Sequence, residues 1–210
     1  MEIKQIKQSE LTEEEKQTIQ SYFGELPKFH FYALSKFEDA DYIDMPKFAE
    51  EIIEAFKIDD TKLGGKFSFI DNENYIATIV NRNNLYHEVT HLIFYDKIAD
   101  FFKDKKIDGR KNLIDEIIAE YHSTKIRRKS DIYMIKIKRN RELCKRDVPY
   151  LIGAYLAYSD MESEIIKNAP ALLIEKAKIV KDALEIGKTS FKIIDYDLLI
   201  QLFKHKKTAP

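Results

Sequence analysis

Tyr86-His87-Glu88-Val89-Thr90-His91-Leu92 is the stretch from which the rest of the chain is read. It holds His-Glu-x-x-His among residues patterned as an amphipathic helix. On an α-helix, residues four apart lie on one face, which aims the imidazoles of His87 and His91 at one point. Two neutral imidazoles so placed can hold a single Zn²⁺ at about 2.0–2.1 Å each. Glu88 follows the first histidine by one residue, so it leans towards that point without being forced to bind there. A carboxylate in that place can take a proton from a water whose pKa the metal lowers to about 7. The bland alternative is a pair of surface or capped core histidines, and a third ligand elsewhere in the chain would weigh against it.

Such a ligand is offered by Asn112-Leu113-Ile114-Asp115-Glu116-Ile117-Ile118-Ala119-Glu120-Tyr121-His122. Leu113, Ile114, Ile117, Ile118 and Tyr121 make the apolar face of a predicted helix, with Glu116 and Glu120 four apart along its border. Carboxylates beside a core are costly unless paired or bound to a cation. One of the two can supply the third zinc ligand while the other hydrogen-bonds the far nitrogen of a ligand histidine. The alternative is two exposed glutamates beside Lys111 and Arg127.

His87-Glu88-Val89-Thr90-His91 followed on a later helix by Asp115-Glu116-Ile117-Ile118-Ala119-Glu120 resembles the gluzincin zinc metallopeptidases, in particular small intracellular peptidases typified by the repressor-cleaving proteins of mobile elements. The match covers roughly residues 65–130. The resemblance implies that His87, His91 and Glu116 are the metal ligands and Glu88 the general base. Glu120 becomes the carboxylate behind a ligand histidine, standing where the family more often has a shorter acid. It also implies that strand 75–80 is the sheet edge along which an extended peptide lies, a form of β-strand addition. The oxyanion-stabilising role is open among Tyr121, His122, Tyr133, Tyr150 and Tyr155. The implied fold is α+β: a zincin-like core over residues 63–130, with a helical region over 1–62 and a mainly helical region over 131–210. The implied cofactor is Zn²⁺, and the implied partner is a protein or peptide substrate, such as a transcriptional regulator.

Other zinc classes do not fit. The extended motif His-Glu-x-x-His-x-x-Gly-x-x-His needs Gly at 94 and His at 97, where this chain has Phe94 and Lys97. The single cysteine, Cys144, provides neither a cysteine-rich zinc site nor an internal disulfide. One cysteine suits a reducing compartment, and the first residues lack the apolar run of a signal peptide, so a cytoplasmic location is expected. No 18-residue apolar stretch suggests a membrane span. A composition 44% hydrophobic and 34% charged supports a buried core, and a net charge of −1 argues against a globally basic nucleic-acid binder.

Along the chain, Thr12 and Glu15 make a capping box for a helix ending near Phe23, before Gly24 and Pro27. Residues 28–44 read as irregular. Pro46 opens a helix with Phe48, Ile52, Ile53 and Phe56 on one face. Gly64-Gly65 punctuates the chain. Phe67 and Phe69, then Tyr75 to Val80, read as a hairpin around Asp71-Asn72-Glu73-Asn74, with Asn83 or Asn84 capping the motif helix. Asp108-Gly109 marks a loop. Residues 125–146 carry ten basic residues against two acids. This segment reads as a solvated surface, or as the basis of a second function class: a regulatory protein on the same scaffold that engages nucleic acid or an acidic partner. Helices are expected around Leu151–Leu156, after Pro170, and from about Asp195. Asp160, Glu162 and Glu164 are fallback ligands in an acidic cluster.

Overall fold

The first helix, α1 (Glu13–Phe23), begins where its capping signal lies. In the computed structural model the Thr12 hydroxyl accepts from the Glu15 amide (3.1 Å), and the Glu15 carboxylate accepts from the Thr12 amide (2.8 Å). The capping box thus satisfies two amide donors reciprocally. Gly24 ends the helix at φ 82°, a conformation glycine adopts without penalty. The structure describes residues 5–59, 64–102, 111–128, 148–159 and 171. The Asp108-Gly109 loop, the basic residues from Lys129 to Arg146, the acidic cluster at 160–164 and the expected helices after Pro170 lie outside them.

Residues 28–44 are not irregular. They hold strand β1 (His30–Leu34) and a short 3₁₀ helix (Phe37–Tyr42). β1 sends Phe31 into one core and Tyr32 and Leu34 into another, so both of its faces are apolar. A strand covered on both sides lacks the alternation by which strands are recognised. Helix α2 (Pro46–Asp59) follows, opened by Pro46 as expected, with Phe48 and Ile52 fully buried.

β2 (Gly65–Ile70) and β3 (Glu73–Ile79) form an antiparallel hairpin. Its loop is only Asp71-Asn72, since Ile70 pairs directly with Glu73. Both loop residues have positive φ, 52° and 65°. This is the type I′ pattern whose twist matches that of the strands, and Asp and Asn tolerate it best after glycine. The sheet order is β1-β3-β2, with β1 parallel to β3. The strand expected at the edge, 75–80, is therefore the central one. Its parallel neighbour comes from a distant part of the sequence, which local pattern does not reveal.

Two compact units divide the chain, Met1–Lys97 and Ile98–Pro210. In the first, α2 covers one sheet face, where Phe48, Ala49 and Ile52 pack with Tyr32, Leu34, Tyr75, Ala77 and Ile79. On the other face, Ile19 of α1 and Leu85 and Val89 of helix α3 (Leu85–Phe102) pack with Phe31 and Ile76. In the second unit, α4 (Lys111–Arg127) packs against α5 (Val148–Ser159). Ile114, Ile117, Ile118, Leu151, Ile152 and Ala154 are buried there. The protein is thus a mixed α+β chain with a small three-stranded sheet and several helices. Among the described residues, no helix is long and apolar enough to cross a membrane.

One ion pair joins α1 to the turn that leads into α3. Arg82 donates from Nε and Nη2 to the two carboxylate oxygens of Glu15 (2.9 and 2.6 Å) and from Nη2 to the Glu10 carbonyl (3.1 Å). Its guanidinium also lies over the Phe31 ring, 4.8 Å from the centroid. Burial pushes the Glu15 pKa up, but the Arg82 and Thr12 hydrogen bonds outweigh it and the net shift is downward. A depressed carboxylate contributes stability above its unfolded pKa of about 4, and that stability is lost as pH falls through the lower folded value. Glu15→Gln is expected to cost about 1 kcal/mol at pH 7. Thermal melts of the two proteins should differ at pH 7 and draw together as pH falls through the lowered folded value. A gap that stays the same size throughout the acid range would show that the pair does not titrate in this way.

Candidate metal centre

The motif helix begins directly after Asn84, one of the two asparagines expected to precede it. Arg82–Asn84 form a single 3₁₀ turn, capped by Asn81, whose side-chain oxygen accepts from the Asn83 amide (2.8 Å). Helix α3 then begins at Leu85. Asn84 donates from Nδ2 to the carbonyl of Gly64 (2.7 Å).

With Leu85 and Val89 fixed in the core against the sheet, the helical period sets the other directions. His87, Glu88 and His91 are all buried, at 7%, 6% and 8% exposure. Thr90, between them, is fully buried and satisfies its hydroxyl by donating to the Tyr86 carbonyl (2.7 Å), the usual solution for threonine inside a helix. The imidazole rings of His87 and His91 stand 4.8 Å apart, centroid to centroid, at 77° to each other.

Glu116 on α4 is half-buried. One donor atom from each of His87, His91 and Glu116 lies within 4.8 Å of the other two. Among the described residues, these three are the histidine, cysteine or acidic side chains grouped closely enough to share one ion. Tetrahedral ligands about 2.1 Å from one ion are roughly 3.4 Å apart. Two imidazole nitrogens and one carboxylate oxygen suit zinc and equally several other first-row divalent ions.

Glu88 and Glu120 stand outside that group. Glu88 packs against the first residue of β2: a Cβ built on Gly65 would lie 2.6 Å from Glu88 Oε1. Glu120 is buried, and its Oε1 accepts from the Thr124 hydroxyl (3.1 Å) one helical turn on. Of the aromatic and histidine candidates for oxyanion binding, Tyr121 and His122 are fully buried, their rings edge-on at 4.9 Å. Tyr150 is half-buried. Tyr133, the Tyr155 side chain, and Asp160, Glu162 and Glu164 lie outside the described residues. The sequence reading missed the contact of Gly65 with Glu88. The doubled glycine was its signal, since glycine within a strand often marks a close approach.

No protein-family model, curated protein or solved structure matches this chain.

Proposed function

We propose that this protein is a zinc-dependent peptidase with a zincin-like core, in which His87, His91 and Glu116 hold the metal and Glu88 is the general base. The observation that carries the reading is the grouping of those three side chains, predicted as ligands from spacing and resemblance, within 4.8 Å of one another. The donor set fits: two histidines four apart on one helix and a carboxylate from another give three ligands and leave a position for substrate. Zn²⁺ in such a site supplies Lewis acidity, polarising a carbonyl oxygen and making water easier to deprotonate.

The rest of the work falls to this chain's own groups. Glu88 takes the proton from the attacking water on a carboxylate oxygen and delivers it to the departing amine nitrogen. Burial of His87, Glu88 and His91 keeps bulk water from competing, which strengthens each electrostatic contact there. Glu120 backs one of the ligand histidines in this reading. Because β3 is central, an extended peptide that adds to the sheet does so along β2, the outer strand whose Gly65 touches Glu88.

The test is metal content. Purified protein is expected to carry about one zinc per chain. Glu116→Ala should lose it or hold it much more weakly, and Glu120→Ala should keep it. Wild-type protein that takes up no zinc when zinc is supplied would overturn the reading.

A further inference from the structure

Gly64 and Gly65 meet three elements at once. The Gly64 carbonyl accepts from the Ile79 amide at the end of β3 (3.0 Å) and from Asn84 Nδ2 just ahead of α3 (2.7 Å). A Cβ on Gly64 would collide with Asn84 Nδ2 and lie 3.0 Å from its Cγ. A Cβ on Gly65 would lie 2.6 Å from Glu88 Oε1, 2.8 Å from Cγ and 2.9 Å from Cδ. Asn84 and Glu88 are four residues apart, so they lie on one flank where the turn passes into the helix. That flank rests on two consecutive residues with no side chain.

Backbone conformation does not require either glycine. Gly24 is the glycine with positive φ among the described residues; Gly64 and Gly65 are not in that region. Clearance is what remains. Real Cβ atoms essentially never come closer than 3.0 Å to such neighbours, so any larger residue at 65 must push the Glu88 side chain aside. The atoms in the way belong to a side chain, not to backbone. Relief therefore comes by shifting the Glu88 side chain, which moves its carboxylate.

We infer that Gly65 is a positioning residue for Glu88: the Gly64-Gly65 ridge, registered by the Asn84–Gly64 hydrogen bond, fixes where the Glu88 carboxylate stands. The inference deepens the peptidase reading and rests on it for its functional meaning. Its geometric content is independent of that reading, because the contact exists whether or not a metal binds. Displacements of about 1 Å in a reacting group are enough to cost a hundredfold in rate, so the ridge matters through the position it gives Glu88.

Two measurements test it. The first is a thermal cycle of Gly65→Ala, Glu88→Ala and the double variant. Gly65→Ala alone is expected to lower Tm by about 2–4 °C. In the Glu88→Ala background the same change should be silent or slightly stabilising, because the obstructing atoms are gone and alanine restricts the unfolded chain. An equal fall in both backgrounds, or none in either, overturns the contact. The second is the visible spectrum of protein loaded with Co²⁺ alone, which reports the surroundings of the ion. Gly65→Ala should bind Co²⁺ as tightly as wild type yet shift the bands in the same sense as Glu88→Gln. Bands identical to wild type overturn the positioning role. Wild-type protein that binds no Co²⁺ counts against the peptidase reading, while the thermal cycle still decides the Gly65–Glu88 contact.

Discussion

In the proposed peptidase, Glu88→Gln is expected to leave the metal in place and remove nearly all peptide hydrolysis. Glutamine has almost the same size and shape as glutamate, so it fits the buried position over Gly65 without opening a cavity. Glu88 also stands outside the group of donor atoms formed by His87, His91 and Glu116, so metal content should match wild type. What the substitution removes is a proton acceptor. A neutral amide takes no proton from water and has none to return to a leaving amine. General acid–base catalysis by one side chain is worth about 10²–10⁴ in rate, and kcat should fall by a factor in that range. KM should move little, because no substrate contact is lost. Zinc content and kcat on a peptide selected from a library, measured on the same rigorously purified sample, check this. Wild-type kcat in the variant would take the role away from Glu88, and loss of zinc would make Glu88 a ligand instead of a base.

The parts of this fold that could be read from sequence are those whose signals are local. The capping box of Thr12 and Glu15, Pro46 at a helix start, the turn signal Asp71-Asn72-Glu73-Asn74 between two strands and the apolar faces of α3 and α4 each fall within a few residues. Each appears in the structure as an element of the expected type. What escaped was set by distant partners. β1 is buried on both faces, so Phe31 and Tyr32 carry no alternation to identify them. β3 is central because β1 lies parallel to it, and no local pattern in Tyr75–Val80 distinguishes a central strand from an edge. The 3₁₀ turn that Asn81 caps also escaped, although α3 does begin directly after Asn84, one of the two expected caps. Asn84 also donates to the distant Gly64 carbonyl. At the candidate site, the three residues grouped by spacing and resemblance are brought together, whereas Gly65 was read only as punctuation. A glycine's need for space depends on what folds against it, which sequence spacing does not state.

Gly153→Ala shows the opposite case, in which there is nothing to rotate away. A Cβ on Gly153 of α5 would lie 2.5 Å from the Ile117 carbonyl oxygen and 2.9 Å from both the Tyr121 amide nitrogen and Glu120 Cβ. Two of those three atoms are backbone of α4, held within the helix. Room for a methyl group comes only if α4 and α5 move apart. Ile117, Ile118, Ile152 and Ala154 are fully buried, and separation loosens the contacts of them all. Against this, alanine is a better helix former than glycine by about 1 kcal/mol, so propensity alone predicts stabilisation. Overpacking of a tight core costs about 1–3 kcal/mol and more where backbone must shift, as it must here. The clash should win, with a fall in Tm of roughly 4–8 °C. In the proposed metal centre α4 supplies Glu116, so metal retention is expected to weaken in the same variant. An unchanged or raised Tm would mean that the two helices have room to spare, and that Gly153 is not what brings α5 onto the turn of α4 between Ile117 and Tyr121.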